Sequence, residues 1–229
     1  MTIRHHASDE SLLRYAAGQL PAGPARVLAV HLATCACCRE RLAAFEAVGG
    51  ALLEATTPAP MAPDAFAAAL RAIDREEGAG APTATAAPTH LEARATPRAP
   101  ATLPGGIPLP APLQDCEIGP WRWIGLGVRA STVRLPEDPQ ARLTLLRVGP
   151  GRKLPEHGHV GTEFTQVISG SFSDGFGRYG PGDLSEMDQE IEHQPIVDRD
   201  GECYCLAALE GSMRLNGFFG RLVQPFVRI

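Results

Sequence analysis

The chain has 229 residues, of which 44% are hydrophobic, a composition typical of a folded protein of one or two domains. Its formal net charge of −5 argues against a nucleic-acid-binding surface, which needs clustered Lys and Arg to neutralise phosphates. No apolar stretch is long enough to cross a bilayer and the N-terminus lacks the apolar core of a signal peptide, so we expect a cytoplasmic protein without a membrane partner.

Four short helices are predicted over residues 8–77. Ser8 is a suitable N-cap for the first helix, and Pro24 fits the first turn of the second. The third helix follows from about Cys38 and the fourth from about Pro63, each with apolar residues at helical spacing. A bundle this small has a thin core, and such proteins often need a metal ion or a partner for stability.

Residues 78–113 contain eight prolines and little large apolar content. This composition predicts a flexible or semi-extended linker, because it cannot bury enough surface to offset chain entropy. Beyond it, short β-prone runs separated by Gly- and Pro-rich turns predict a sandwich or small barrel. The runs are Ser131–Leu135, Leu143–Val148, Glu163–Ser169, Cys203–Leu209 and Leu222–Val227. The predicted fold class is α + β in separate domains: helices at 1–77, linker at 78–113 and β domain at 114–229.

A first metal-binding pattern is His31-x3-Cys35-x2-Cys38. On a continuous helix these residues fall at roughly 0°, 40° and −20° around the axis, at about 100° per residue. If the chain instead turns at Thr34, the two cysteines form a knuckle at a helix start, where backbone amides favour thiolates. Both geometries bring the same three side chains together and leave Cys37 out. Two thiolates and an imidazole form a soft, tetrahedral donor set that favours zinc.

A structural zinc site needs a fourth ligand, and His5 or His6 at the N-terminus can supply it. The residues by themselves do not separate these two histidines. The alternative interpretation is that the three residues of the motif pack in the core of an amphipathic helix, where a free cysteine behaves as a small hydrophobe.

A second pattern lies in the β region, where Gly151-x5-His157-x-His159-x3-Glu163 is followed by His193. On a strand, residues two apart point to the same face, so the first two histidines share one side. Three imidazoles and a carboxylate suit Zn, Fe, Mn or Ni. The alternative interpretation is that these histidines are ordinary loop residues.

Four other residues of the β region are less informative. Cys203 and Cys205 face one side of a predicted strand, either packing in the core or forming a redox-sensitive pair near the second metal. Asp183 and Glu186 are interpreted as turn and surface residues.

Two resemblances connect these patterns to known families. The order His6, His31-x3-Cys35-x2-Cys38 in a helical N-terminus resembles the zinc-binding anti-sigma domain. The second pattern resembles the first cupin motif at every spaced position, and Pro181-Gly182-Asp183 followed by His193 resembles the second motif without its usual Asn. Together with Thr2–His6, Ala47–Gly50 and the ending 221–229, nearly the whole chain, apart from the linker, resembles ChrR-type zinc-binding anti-sigma factors.

This resemblance implies a function and a ligand assignment. His6 would be the fourth zinc ligand, and the helical domain would bind and inhibit an extracytoplasmic-function sigma factor in a heterodimer. The cupin barrel, jelly-roll-like and holding Zn²⁺ or another divalent transition metal, would be needed for release under reactive-oxygen stress of the singlet-oxygen type. The competing hypothesis is a cupin metalloenzyme, a dioxygenase or isomerase with a helical appendage, because many catalysts share this ligand set.

Overall fold

The computed structural model describes residues 2–78, 101–125 and 127–215. The predicted strand Leu222–Val227, the C-terminal segment 221–229 and residues 79–100 of the predicted linker lie outside this range. Among the described residues, no helix has the length and apolar character needed to span a membrane.

The N-terminal part contains four helices, as predicted: α1 (Asp9–Ala16), α2 (Ala22–Thr34), α3 (Ala36–Glu54) and α4 (Ala65–Gly78). Helix α1 starts after Ser8, whose side chain accepts a hydrogen bond from a backbone N–H of the first turn. Helix α2 ends because Cys35 adopts an extended conformation, with φ −96° and ψ 102°. The chain therefore breaks between α2 and α3, so the knuckle is the geometry adopted.

Fourteen strands, most of them short, lie in the described part of the β region. They are β1 (Thr102–Leu103), β2 (Ile107–Pro108), β3 (Glu117–Ile118), β4 (Arg122–Gly125), β5 (Val128–Arg134), β6 (Leu143–Val148), β7 (His157–Val160), β8 (Glu163–Ser169), β9 (Phe172–Ser173), β10 (Arg178–Tyr179), β11 (Leu184–Met187), β12 (Ile196–Val197), β13 (Cys203–Leu209) and β14 (Ser212–Leu215). The largest sheet has the order β11-β8-β13-β6-β5-β3, with β4 also paired to β5. Smaller sheets are β10-β9-β12, β14-β7 and β1-β2. Closure of the described strands into a jelly-roll barrel remains a prediction.

The contacts divide the chain into two compact units. Residues 1–50 and 100–229 form the first, which contains α1, α2, most of α3 and the sheets, and residues 51–99 form the second. This division differs from the predicted ranges of 1–77, 78–113 and 114–229, because the first helices pack on the sheet. The predicted ranges therefore remain a hypothesis about which segments fold independently.

Helix α2 packs against β8 and β13 of the main sheet. One buried cluster joins Val27 and Leu28 of α2 to Phe164 and Leu206 of these strands. The approach is close at Gly23, where a Cβ atom would lie 2.9 Å from the carbonyl oxygen of Arg142. The helices and the sheet therefore share one hydrophobic core in the first unit.

The end of the predicted linker is ordered. Residues 102–113 form the β1–β2 hairpin and a 3₁₀ turn at Ala111–Leu113. Three leucines of this segment, Leu103, Leu109 and Leu113, are buried in the core that joins helices and sheet. Their burial supplies the apolar contacts that a freely flexible linker lacks.

Two candidate metal centres

The first cluster forms where three segments of the chain meet. His6 comes from the N-terminal tail, His31 from the last turn of α2, Cys35 from the break between helices and Cys38 from the first turn of α3. Their ligand atoms all lie within 4.8 Å of one another. His31, Cys35 and Cys38 are buried. We call this group the helical centre.

The tail presents His6, and not His5, to the cysteines. His6 Nδ1 lies 3.2 Å from Cys35 Sγ and 3.6 Å from Cys38 Sγ. His5 points away, with its Nε2 3.2 Å from the Arg178 carbonyl oxygen and its ring 4.3 Å from that of Tyr179. The structure thus distinguishes two neighbouring histidines that the sequence pattern left equivalent.

Hydrogen bonds define the tautomer of His31. Its Nδ1 lies 3.1 Å from Gln166 Oε1 and 3.0 Å from the Gly182 carbonyl oxygen. Carbonyl oxygens only accept, so Nδ1 carries the proton and Nε2 carries the lone pair. Nε2 faces Cys38 Sγ at 3.3 Å. This is the orientation of a metal-binding histidine whose other nitrogen is held by an outer partner.

Burial favours the neutral forms of His31 and Cys38 when no cation is bound. It lowers the pKa of His31 and raises the pKa of Cys38 to about 11. A bound divalent cation would reverse the preference of the thiols, because coordination deprotonates them. Two sulfurs and two nitrogens at this spacing fit a tetrahedral Zn²⁺.

The second cluster lies on the other side of the sheet. His157 and His159 are on β7, Glu163 begins β8, and His193 precedes β12. All four side chains are buried, and their ligand atoms lie within 4.8 Å of one another. We call this group the β-domain centre.

Two histidines of this centre direct lone pairs toward each other. His157 Nδ1 donates to the Pro155 carbonyl oxygen at 2.8 Å, and His193 Nδ1 donates to Asp174 Oδ2 at 3.0 Å. Their Nε2 atoms are only 3.2 Å apart. The lone pairs on the two Nε2 atoms repel each other at this distance, unless a shared proton or a cation lies between them. The geometry therefore fits a metal ion with imidazole ligands held by outer partners.

The charges in the β-domain centre are strongly coupled. Burial alone would lower the pKa of His193, but hydrogen bonds with Asp174 and Glu163 raise it to about 9. Burial would raise the pKa of Glu163, whereas hydrogen bonds with His159 and His193 bring it far below its usual range. A metal ion must displace the proton on His193, so metal binding should release a proton.

Sequence reasoning missed Asp174. This residue follows β9 and accepts hydrogen bonds from the backbone N–H groups of Phe176 and Gly177, so its sequence context indicates only a turn. Its second oxygen is the partner of His193. Both residues also line a cavity of about 380 Å³. The cavity therefore reaches the His193 side of the β-domain centre.

Asp183 ends a turn, as interpreted, because its N–H donates to the Gly180 carbonyl oxygen at 2.9 Å, but Asp183 and the half-buried Glu186 also bind the N-terminal segment. Asp183 is buried, and its Oδ1 accepts the backbone N–H groups of Arg4 and His5. Glu186 accepts hydrogen bonds from Ser8 at the start of α1. A sequence pattern gives no signal for these contacts, because the partners are more than 170 positions apart.

Cys203 and Cys205 lie side by side on β13. Their Sγ atoms are 3.5 Å apart, and both side chains are buried. They belong to an apolar cluster with Val128, Val148 and Val167, which agrees with a packing role. Their redox role remains a prediction.

One strand connects the two centres. Glu163 and Gln166 are both on β8 and are three positions apart, so their side chains point to opposite faces. Glu163 belongs to the β-domain centre, and Gln166 accepts the hydrogen bond from His31 of the helical centre. A shift of β8 would therefore reach both centres.

The fold and the two centres define a class of protein: a helical N-terminal part with a candidate His/Cys metal centre, followed by a cupin-like domain. A family model for the ChrR cupin-like domain matches residues 113–211. The anti-sigma-E factor ChrR of Cereibacter sphaeroides is 42% identical over 229 residues, which is all of both chains. This chain belongs to the ChrR family of anti-sigma factors.

Solved structures add to this comparison. The crystal structure of Rhodobacter sphaeroides SigE in complex with the anti-sigma ChrR contains a chain that is 34% identical, with a TM-score of 0.66. The match covers 91% of this chain and 100% of that one. An RmlC-like cupin from Ralstonia eutropha matches 46% of this chain and 69% of its own at 18% identity, with a TM-score of 0.37.

Proposed function

We propose that this protein is a cytoplasmic anti-sigma factor that binds and inhibits an extracytoplasmic-function sigma factor and releases it under reactive-oxygen stress of the singlet-oxygen type. The observation that carries the proposal is full-length identity of 42% to an anti-sigma factor. A regulator, and not a catalyst, is what membership of this family indicates. Within each of the two predicted sets of metal ligands, the ligand atoms also lie within 4.8 Å of one another.

The second unit offers a surface for the sigma factor. Phe66, Leu70 and Ile73 of α4 are 76%, 46% and 55% exposed. Their spacing of four and three residues places them on one face of the helix. Leu52 and Leu53 at the end of α3 are also exposed, at 67% and 75%. Such a group of exposed apolar side chains is typical of a protein-binding surface, and the sigma factor is the occupant we propose.

The helical centre would hold Zn²⁺ through His6, His31, Cys35 and Cys38. When bound, the metal ties the tail, α2 and α3 together, so that a small helical domain can present a fixed surface to its partner. Sigma-factor binding should therefore depend on this centre.

The β-domain centre would hold Zn²⁺ or another divalent transition metal through His157, His159, Glu163 and His193. We propose that this centre senses the oxidant. Oxidation of a ligand or loss of the metal would leave a proton on His193 in place of a divalent cation among four buried side chains, and this change of charge and contacts favours rearrangement. Strand β8 carries both Glu163 of this centre and Gln166, which contacts His31 of the helical centre, and would transmit this rearrangement.

Co-expression with the extracytoplasmic-function sigma factor encoded beside the gene tests the proposal. Size-exclusion chromatography and metal analysis, with and without a chelator, should give a one-to-one, zinc-containing complex that dissociates when zinc is removed. Cys35→Ser or Cys38→Ser should abolish inhibition, whereas His157→Ala or Glu163→Gln should keep inhibition and abolish release. Equal loss of sigma binding in both sets would contradict the division of roles.

The enzyme hypothesis is distinguished by turnover. A dioxygenase or isomerase would convert a small substrate in the absence of any sigma factor, and the conversion would stop in Glu163→Gln. An inhibitor that shows no turnover and binds a sigma factor stoichiometrically would exclude this hypothesis.

A further inference from the structure

The N-terminal tail is bound to the β domain immediately before His6. The backbone N–H groups of Arg4 and His5 donate to Asp183 Oδ1 at 2.6 and 3.0 Å. The N–H of Leu184 donates to the carbonyl oxygen of His5 at 3.2 Å. Asp183 is itself fixed, because its Oδ2 accepts the N–H of Gly180 at 2.9 Å.

The tail is also bound immediately after His6. The N–H of Ser8 donates to Glu186 at 3.2 and 3.3 Å, and the hydroxyl of Ser11 donates to the same carboxylate at 3.2 Å. Glu186 is on β11, the strand that begins one residue after Asp183. Two carboxylates of the β domain thus hold the backbone on both sides of a metal ligand.

Glycines let the tail lie close to the β domain. A Cβ atom at Gly182, whose φ is +89°, would be 3.0 Å from Cγ1 of Ile3. A Cβ atom at Gly177 would be 2.9 Å from Cε1 of His5. Larger residues at either position would push the tail away, and with it His6.

The second imidazole of the helical centre is held by the same region. His31 Nδ1 donates to Gln166 on β8 and to the carbonyl oxygen of Gly182. Gln166 is 2% exposed, and its own Nε2 donates to the Val167 carbonyl oxygen at 3.0 Å, which fixes the amide. Both histidine ligands therefore depend on the β domain, whereas the junction of α2 and α3 positions both cysteines.

We propose that Asp183 and Gln166 are positioning residues of the helical centre, so that the β domain contributes directly to how tightly the helices hold their metal. The inference rests on the proposed function, because it assumes that the helical centre binds a divalent cation. Neither residue contacts the metal. Asp183 fixes the backbone that carries His6, and Gln166 fixes the tautomer and ring of His31. Removing such outer partners typically costs about 10- to 100-fold in metal affinity.

Cobalt substitution of the full-length protein provides a selective readout. Of the two candidate centres, the helical centre is the one that contains cysteine, so Co²⁺ bound there is expected to give thiolate-to-cobalt charge-transfer absorption. We would load wild type, Asp183→Asn and Gln166→Leu with Co²⁺ and follow the decay of this absorption after adding excess EDTA. The control is Asp138→Asn, which changes an aspartate in the turn between β5 and β6 whose Oδ1 accepts the N–H of Gln140.

The expected result is a loss of Co²⁺ from the helical centre that is about 10-fold faster in Asp183→Asn and Gln166→Leu than in wild type and Asp138→Asn. Metal content of the β-domain centre, measured after the thiolate band has decayed, should remain that of wild type. Equal decay in all four proteins would overturn the inference, and so would equally accelerated loss from both centres, which indicates general unfolding. A wild-type protein without any thiolate–cobalt band would overturn the metal assignment itself.

Discussion

Replacing Asp174 by Asn changes a single atom position of the β-domain centre. Asp174 Oδ1 accepts the N–H groups of Phe176 and Gly177, and the carbonyl oxygen of Asn can do the same. Oδ2 accepts Nδ1–H of His193 at 3.0 Å, and the NH₂ group that replaces it can only donate. The Nδ1–H group of His193 would then face the NH₂ group of Asn, another donor, unless the proton moves to Nε2. A proton on Nε2 occupies the lone pair that faces the other ligands.

The expected loss is about 10- to 100-fold in metal affinity, equivalent to about 1.4 to 2.8 kcal/mol at 1.4 kcal/mol per factor of ten. The dissociation constant for Zn²⁺, measured by competition with a fluorescent chelator, should rise by that factor at the β-domain centre. Asp138→Asn is the control, since it removes the same charge from a turn. Sigma-factor binding should be retained, whereas release by a singlet-oxygen-generating dye should be weakened.

The reasoning would be refuted if Asp174→Asn binds Zn²⁺ as tightly as wild type. The circular-dichroism spectrum of Asp174→Asn should equal that of wild type, because the hydrogen bonds to Oδ1 preserve the turn. This equality shows that a change in Zn²⁺ affinity does not come from unfolding. A loss of Zn²⁺ from the helical centre alone would also contradict the assignment, because Asp174 contacts a ligand of the β-domain centre only.

The same structure leads to three other expectations. Phe66→Asp should weaken the sigma complex at least about 10-fold in a binding titration, the size of a hot-spot residue, with helix content unchanged; an unchanged Kd would contradict docking on α4. Gly23→Ala should lower the free energy of unfolding in urea by about 1–3 kcal/mol because its Cβ meets a backbone oxygen. Gly49→Ala is the control, because a Cβ atom at this position on α3 would have nothing within 4 Å, and it should raise the free energy of unfolding by up to about 1 kcal/mol. Equal effects of the two substitutions would refute the close contact at Gly23. In metal-free protein the pKa of His193 is raised from 6.5 to about 9, so its stabilising contribution is complete below pH 6.5 and is lost as pH rises through 9. Urea unfolding of chelator-treated protein across this range should show the loss, and Asp174→Asn should reduce it; a rise in stability over the same window would contradict the assignment.

Local patterns in the sequence predicted several elements closely. The strands Leu143–Val148, Glu163–Ser169 and Cys203–Leu209 have the predicted bounds. Apolar and β-branched residues predominate in these segments, which are flanked by turn residues, so short-range preference and burial agree. The four helices also follow from periodicity and caps. The order of helices before strands needed no tertiary information.

The eight candidate metal ligands were also predictable as two sets. His31, Cys35 and Cys38 lie within eight positions, and His157, His159 and Glu163 within seven, so backbone geometry alone brings most of each set together. His6 and His193 are more distant, and the resemblance to known families indicated them. Metal-ligand spacing is a short-range signal, which is why a single sequence carries it.

Long-range pairing determined the rest, and only the tertiary structure could supply it. These long-range contacts depend on which segments lie beside the N-terminal tail, beside α2 and beside His193. They decide the choice of His6 over His5, the partners Asp174 and Gln166, and the role of Asp183. An aspartate in a turn has the same sequence context whether it faces water or a histidine. The sequence alone therefore predicts which residues can bind metal, whereas the packing of α2 and the tail on the sheet decides which groups hold those ligands in place, because such contacts depend on segments distant along the chain.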